Sequence, residues 1–160
     1  MSVLGTMGAR VVTAHGALLA TPKVEVGARQ DGLLRLGVNA RHGYASSDDS
    51  LGTVRAHALA GGLAATYVLA SGAWLELATG PRFETGLVAG RGDGKNGVST
   101  TVLTLGASWE LELHVKVGGL SLLGAVEAGT YFHGIELHAD ERDALHLSGP
   151  FVGLALGAML

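Results

Sequence analysis

His146-Leu147-Ser148 sets an imidazole and a hydroxyl two residues apart. In an extended segment both point to one face, as a serine nucleophile and its base require. Such a pair also needs a group to orient the imidazole, usually a carboxylate. No acid follows Ser148, so that group would have to come from elsewhere, for example Glu136. Without it, His146 and Ser148 read as two polar residues at the mouth of a structure, and the expectation is no catalysis. The chain has 7 His, and His114, His133 and His138 fall near several Glu. No His-x-His or His-x3-His pair with supporting ligands accompanies them, and Cys is 0, so no metal site and no cofactor are expected. Arg91-Gly92-Asp93 spells an integrin-type tripeptide, but Gly-Asp-Gly composition in a hairpin loop accounts for it. Gly90-Arg91-Gly92-Asp93-Gly94 lacks the Gly-Lys-Ser/Thr ending of a phosphate loop, because Lys95 is followed by Asn96.

These residues need a scaffold, and composition narrows it. Apolar residues make up 48% and charged residues 16%, which excludes a disordered chain. The formal net charge is −3, so no broad basic surface for nucleic acid exists. Gly is 26 and Pro only 3, without a Gly-X-Y period, which excludes collagen. The longest stretch free of charge and His, Ala58 to Leu75, barely reaches the roughly 17–25 residues of a spanning helix. Its Gly61, Gly62, Thr66, Ser71 and Gly72 make it a weak one.

Period-two alternation explains more. Leu34-Arg35-Leu36-Gly37-Val38-Asn39-Ala40-Arg41, Leu75-Glu76-Leu77-Ala78 and Leu103 to His114 each present one apolar face and one polar or glycine face. The expected strands are 8–17, 23–30, 33–44, 53–69, 74–90, 98–114, 120–138 and 145–160, in a single domain covering 1–160. Residues 1–7 are expected to be disordered or to lead into the first strand. Tight turns near Asp31-Gly32, Ser71-Gly72 and Gly118-Gly119 fall at one end. Looser connections near 47, 94 and 141 fall at the other, with a short one at Thr21-Pro22. An eight-stranded meander of this kind must close or expose two edges, so a closed antiparallel up-and-down β-barrel is expected, a transmembrane β-barrel if its apolar face points outward and a soluble calyx if it points inward.

The polar phase says which side is in. It holds Arg35, Asn39 and Arg41; Arg55; Glu76, Arg82 and Glu84; Glu110 and Glu112; and Glu127, Tyr131 and His133, interleaved with glycines such as Gly37, Gly80, Gly86 and Gly129. Repeated Gly weakens a solvent-facing strand. In a narrow lumen it makes room for long Arg and Glu side chains to cross and pair. The opposite phase carries Leu36, Val38, Leu77, Phe83, Leu103, Leu105, Leu111, Val126 and Leu154 with almost no charge, suiting an apolar band about 25 Å tall. Tyr67, Trp74 and Trp109 fall near the tight-turn end and Tyr44 near the loop end, as interfacial aromatics would.

With this pattern the chain resembles the small eight-stranded outer-membrane barrels of Gram-negative bacteria, the OmpA-transmembrane-domain and OmpX type. The resemblance covers nearly the whole chain, including a last strand ending at Leu160. Its Gly/Ala/Leu-rich diction is also similar to uncharacterised barrels of high-GC, myxobacteria-type genomes. The resemblance implies an outer-membrane protein with a lipid bilayer as its main partner, a monomer, and a structural, adhesive or small-ligand role. The acidic loops around Asp48-Asp49 and Asp140–Asp143 are candidates for contact with divalent ions or an unknown loop partner. His146 and Ser148 are similar to the His-x-Ser pair of barrel lipid A deacylases, which leaves a lipid-directed hydrolase as one alternative. A soluble lipocalin-like calyx, with Leu and Val inside, is the other. Met1 to Met7 lacks a basic region and an apolar core, so no secretory signal is expected in this chain.

Overall fold

The computed structural model of the chain describes residues 2–12, 17–30, 32–49, 52–93, 99–133, 136–139 and 142–160. Among these residues there are eleven strands: β1 (Ser2–Val12), β2 (Ala17–Ala20), β3 (Lys23–Gln30), β4 (Leu34–Asp49), β5 (Gly52–Ser71), β6 (Leu75–Asp93), β7 (Ser99–Val117), β8 (Leu120–His133), β9 (Glu136–Ala139), β10 (Arg142–His146) and β11 (Gly149–Met159). β2 and β3 form one stave, since each pairs antiparallel with both β1 and β4. The stave is interrupted at Thr21-Pro22, where proline has no N–H to give. The ladder survives the gap: the Thr21 N–H donates to the Gly8 carbonyl at 2.7 Å, and the Pro22 carbonyl accepts from His42 N–H at 3.0 Å. β11 pairs with β8 and, from Val12↔Phe151 to Leu4↔Met159, with β1. That pairing closes an eight-stranded antiparallel up-and-down barrel with no open edge. Among the described residues no helix is long and apolar enough to cross a membrane. Of the weak helix candidate, Ala58 to Leu75, residues 58 to 71 lie in β5 and Leu75 opens β6.

The first strand begins earlier than its alternation suggests. Of the expected 8–17, residues 13–16 lie outside the described residues and Ala17 opens β2, while residues 2–7 belong to β1 (Ser2–Val12). Its signal is faint because small Gly5 and Ala9 face out while apolar Leu4 and Val12 face in. Thr21-Pro22 is therefore no end loop but a break inside the second stave. At the other terminus the strands expected over 120–138 and 145–160 stop at His133 and start at Gly149. Between them β9 and β10 make a separate hairpin in the last long connection.

The turns differ by end as the hairpin chemistry requires. Val117 pairs with Leu120 across Gly118-Gly119, and Gly118 takes a φ of 62°, open to glycine at no steric cost. Gly32 does the same at φ 72° between Gln30 and Leu34. Both chain termini lie at this end, where Val3 and Leu160 exchange backbone hydrogen bonds of 3.1 and 3.0 Å.

Side chains then sort by parity. Leu36, Val38, Leu63, Phe83, Leu87, Leu103, Leu105, Leu111, Val126, Leu154 and Leu156 are all exposed on the exterior. Arg10, Lys23, Glu25, Arg35, Arg41, Glu76, Arg82, Glu84, Glu110, Glu112 and Glu127 are buried inside. The interior is not polar throughout. At the loop end Val12, Leu19, Ala45, Val54, Ala56, Val88, Leu147 and Phe151 form an apolar cap. At the turn end Leu4, Leu123 and Ala125 form a smaller one. The ionic layer lies between them.

Candidate functional site

The charged layer is assembled from residues two apart on single strands, which therefore share a face. β3 supplies Lys23 and Glu25, β4 supplies Arg35, Asn39 and Arg41, β6 supplies Arg82 and Glu84, and β7 supplies Glu110, Glu112 and His114. β5 contributes Ala56, Ala58, Ala60, Gly62 and Ala64 on the same side. Its small inward face leaves room for the long side chains of its neighbours, which accounts for the charge-free run noted in the sequence.

Near the loop end, Arg10 is 1% exposed and sits at the hub. Its guanidinium forks to both carboxylate oxygens of Glu84, to Glu127 through Nε at 3.0 Å and Nη2 at 2.6 Å, and to the Tyr131 hydroxyl. The Phe151 ring covers it, 4.3 Å from Cζ to the ring centroid, a cation–π contact that a dry site strengthens. Arg41 reaches Glu127 at 3.2 Å and Glu84 at 3.7 Å, and the Ser108 hydroxyl donates to Glu127 at 2.6 Å. Toward the turns Arg82 is the second hub. It pairs with Glu25, with Glu110 at 2.5 Å and with Glu112 at 2.6 Å. Lys23 donates to both Glu110 oxygens at 3.2 Å. Arg35 also pairs with Glu112, whose Oε2 lies 2.8 Å from His114 Nε2. At the rim Lys116 lies 3.6 Å from Glu76, which also accepts from Ser71 at 3.3 Å.

Among the described residues five buried cations face six buried carboxylates, and the half-buried Lys116 brings the sixth positive charge. The balance matters, since a buried charge that loses its partner costs about 3–5 kcal/mol. It also allows Glu110 and Glu127 to sit directly opposite across β7 and β8. Each of the two has its own pair of cations: Lys23 and Arg82 for Glu110, Arg10 and Arg41 for Glu127. Glycine makes two of these crossings possible. Gly153 is the register partner of both Arg10 and Glu127, and a Cβ there would lie 3.1 Å from Arg10 Cγ. Likewise a Cβ on Gly37 would meet Glu25 Oε1 at 3.0 Å. Among the described residues two small interior cavities of about 20 and 10 Å³ adjoin the layer, one bounded by Arg41, Glu84 and Tyr131 and the other by Lys23, Glu110 and Glu127. Each has room for about one water and for nothing larger.

The expected lumen residues Arg35, Asn39, Arg41, Glu76, Arg82, Glu84, Glu110, Glu112 and Glu127 are all buried together, and Tyr131 joins them through Arg10. Two are not there. Arg55 is exposed on the exterior with His57, in phase with Leu59 and Leu63. It sits loopward of the aliphatic surface, where an outward charge meets water. His133 is also exposed. A bulge between Leu105↔His133 and Gly106↔Tyr131 skips Phe132, so His133 takes the outward phase of Leu105. Arg10, Lys23 and Glu25 belong to the layer as well, beyond the residues expected there. Lys23-Val24-Glu25-Val26 carried the period-two signal for the last two, and Arg10 lay in a strand whose bounds were misplaced.

All four singled-out aromatics are on the exterior: Tyr44, Tyr67, Trp74 and Trp109. Trp74 is at a tight turn. Trp109 instead pairs with Pro81, six residues along β7 from Val115 of the last β6–β7 pair, inside the aliphatic surface. Its indole N–H is satisfied by Thr79 Oγ1 at 2.7 Å, which removes the cost of an apolar surrounding. For the His-x-Ser pair, the β9–β10 register sets His146 opposite Glu136, and half-buried Ser148 follows outside both strands. The side chains of His146, Glu136, His138, Asp48 and Asp49 lie outside the described residues, as do Asp140 and Glu141 altogether. No group of three or more metal-ligating side chains occurs among the described residues.

No family model matches the sequence, and no curated protein matches it. Solved structures do. The chain is similar to Neisserial surface protein A, with a TM-score of 0.66 and 12% identity over 99% of this chain and 94% of that one. A major outer membrane protein from Thermus thermophilus gives a TM-score of 0.62 and 16% identity over 99% and 97%. The attachment invasion locus protein Ail of Yersinia pestis gives 0.56 and 9% over 99% and 96%. Identities this low speak for the fold alone. That fold is the closed eight-stranded antiparallel barrel of small outer-membrane proteins, and this chain has it from end to end.

Proposed function

We propose that this protein is an integral outer-membrane barrel, plugged by its own ion pairs, with a structural or adhesive role through its loop end and no catalysis. The observation that carries the reading is the inversion of a soluble protein's pattern: aliphatic side chains outside, charges inside. From Leu75 to Leu87 the outward positions of β6 carry no charge, and twelve residue steps of about 3.4 Å tilted by about 40° give a height of about 31 Å. That exceeds the roughly 25 Å apolar band of such barrels. In water the same surface would be a large continuous apolar patch. A lipocalin-like calyx would need those aliphatic residues inside, around a cavity. A bilayer is thus the main partner and the monomer the working unit, since closure leaves no strand edge to share. The likeness to barrels of high-GC, myxobacteria-type genomes rests on the Gly/Ala/Leu-rich composition.

The test is refolding from urea into detergent micelles. The unheated protein should run faster on a gel than the boiled one, and removal of detergent should precipitate it. A monomer that stays soluble without detergent would overturn the reading. One observation supports a second reading, a lipid-directed hydrolase: the register that sets His146 opposite Glu136. Deacylation of a lipid by the refolded barrel, lost in Ser148→Ala, would establish it; no release above the Ser148→Ala background would dismiss it.

A further inference from the structure

Two rows of polar side chains meet inside the barrel. In one, Thr6 of β1 is the direct cross-strand partner of Lys23 on β3, and Lys23 is the partner of Arg41 on β4. In the other, Glu110 of β7 is the partner of Glu127 on β8. Lys23 Nζ meets both Glu110 oxygens at 3.2 Å, and Arg41 Nη1 donates to Glu127 Oε2 at 3.2 Å. All five residues border the cavity of about 10 Å³. Two polar atoms of this wall are unmatched. Thr6 and Arg41 are 5% and 7% exposed, yet neither Thr6 Oγ1 nor Arg41 Nε has a hydrogen-bond partner among the described residues. A buried donor left unpaired loses its hydration and gains nothing in return. A cavity and two orphaned polar atoms thus coincide at one place.

The wall decides what can occupy the space. Lys23 and Arg41 repel a cation, and Glu110 and Glu127 repel an anion. Charges of the two signs are equal in number, so a neutral guest is favoured. An apolar guest would leave Thr6 Oγ1 and Arg41 Nε unpaired, and the volume admits about one water. We propose that one ordered water is bound here. It accepts from the Arg41 Nε–H, bonds to the Thr6 hydroxyl, and donates to a carboxylate oxygen of Glu110 and one of Glu127. Buried waters ordinarily make about three such bonds, and the wall offers the partners. The water completes the Arg41 guanidinium and sets an O–H toward each of two neighbouring carboxylates. It also ties the two hubs together, because Glu127 pairs with Arg10 and Glu110 with Arg82. The cavity of about 20 Å³ lacks this combination. Leu19, Ala58, Val88 and Leu147 wall part of it, and among the described residues bordering it only Arg41 carries an unpartnered buried side-chain atom. The water site lies in the interior and stands apart from any role of the loop end.

The test is nuclear magnetic resonance on the full chain, isotope-labelled and refolded in detergent micelles, with the heat-modifiable gel shift showing that the barrel has formed. Cross-relaxation with water is read at the Arg41 Nε–H and at the Thr6 methyl. Both should show it, with the sign of a water held in place and not of one diffusing past. Rotating-frame spectra separate this from proton exchange, whose peaks have the opposite sign. Thr6→Val keeps the shape and removes the hydroxyl, whose exchanging proton could relay the same signal. Arg41, Glu110 and Glu127 still offer three partners, so the signal at the Arg41 Nε–H should persist in Thr6→Val. No cross-relaxation with water at the Arg41 Nε–H of the wild type, or a peak of exchange sign alone, would overturn the proposal. So would loss of the signal in Thr6→Val, which would trace it to the hydroxyl proton.

Discussion

Replacing Arg10 by Met keeps most of the side-chain volume and removes the hub charge. Glu84 loses its forked contact and Glu127 loses contacts at 3.0 and 2.6 Å. Both carboxylates are then left to share Arg41, 3.7 Å from Glu84 and 3.2 Å from Glu127. The buried set falls to four cations against six carboxylates among the described residues. One uncompensated buried charge costs about 3–5 kcal/mol. With a urea slope of about 2 kcal/mol per M, the unfolding midpoint should drop by about 2 M. The assay is reversible urea unfolding of the vesicle-inserted barrel, followed by emission of Trp74 and Trp109, the chain's 2 tryptophans. The cost lies in the stranded carboxylate and not in lost contacts, so adding Glu84→Gln to Arg10→Met, which leaves Arg41 paired with Glu127 at 3.2 Å, should recover most of the loss. A midpoint shift under about 0.5 M for Arg10→Met, or a double variant no better than the single one, would refute the reasoning.

Other outcomes follow from the same geometry. Gly153→Leu should sharply reduce the folded yield on gels, because even its Cβ would lie 3.1 Å from Arg10 Cγ, whereas Gly5→Ala, with open space at its Cβ position, should fold normally. Leu105→Arg, on the exterior, should cost about 2–4 kcal/mol in vesicle unfolding if its site is near the midplane, and Arg55→Leu should cost far less. In single-tryptophan variants, Trp109 should be quenched best by lipids brominated deep in the chain and Trp74 by lipids brominated near the headgroup. Vesicles bearing the barrel should stay closed to sugars in a swelling assay, because the interior cavities are about 20 and 10 Å³.

The sequence made the middle of the barrel readable because there the rule is simple. Between the two ends of β6 and β7, outward residues such as Phe83 and Leu111 are apolar, and inward ones such as Arg82 and Glu110 are charged. Toward the loop end the parity continues but the chemistry reverses. On β5, Val54 and Ala56 face in while Arg55 and His57 face out. On β6, Val88 faces in and Arg91 faces out. Reading charge as inward therefore misassigned Arg55. His133 failed for a different reason, a bulge that no residue type in the sequence marks. Arg10 escaped notice because β1 hides its alternation behind glycines and an inward leucine and valine. The hairpin of β9 and β10 merges in the sequence with its neighbours, since short strands in a loop carry too few residues for a period to show.

The account stands on which way β7 faces, and a spin-label scan measures that directly. The chain contains 0 Cys, so single cysteines can be placed at Leu103, Thr104, Leu105, Ser108 and Leu111 without background. In vesicles, labels at 103, 105 and 111 should relax strongly with oxygen, which concentrates in the bilayer, and those at 104 and 108 should be shielded from both oxygen and a water-soluble nickel reagent. The opposite alternation, with 103, 105 and 111 shielded and 104 and 108 open to nickel, would contradict the account.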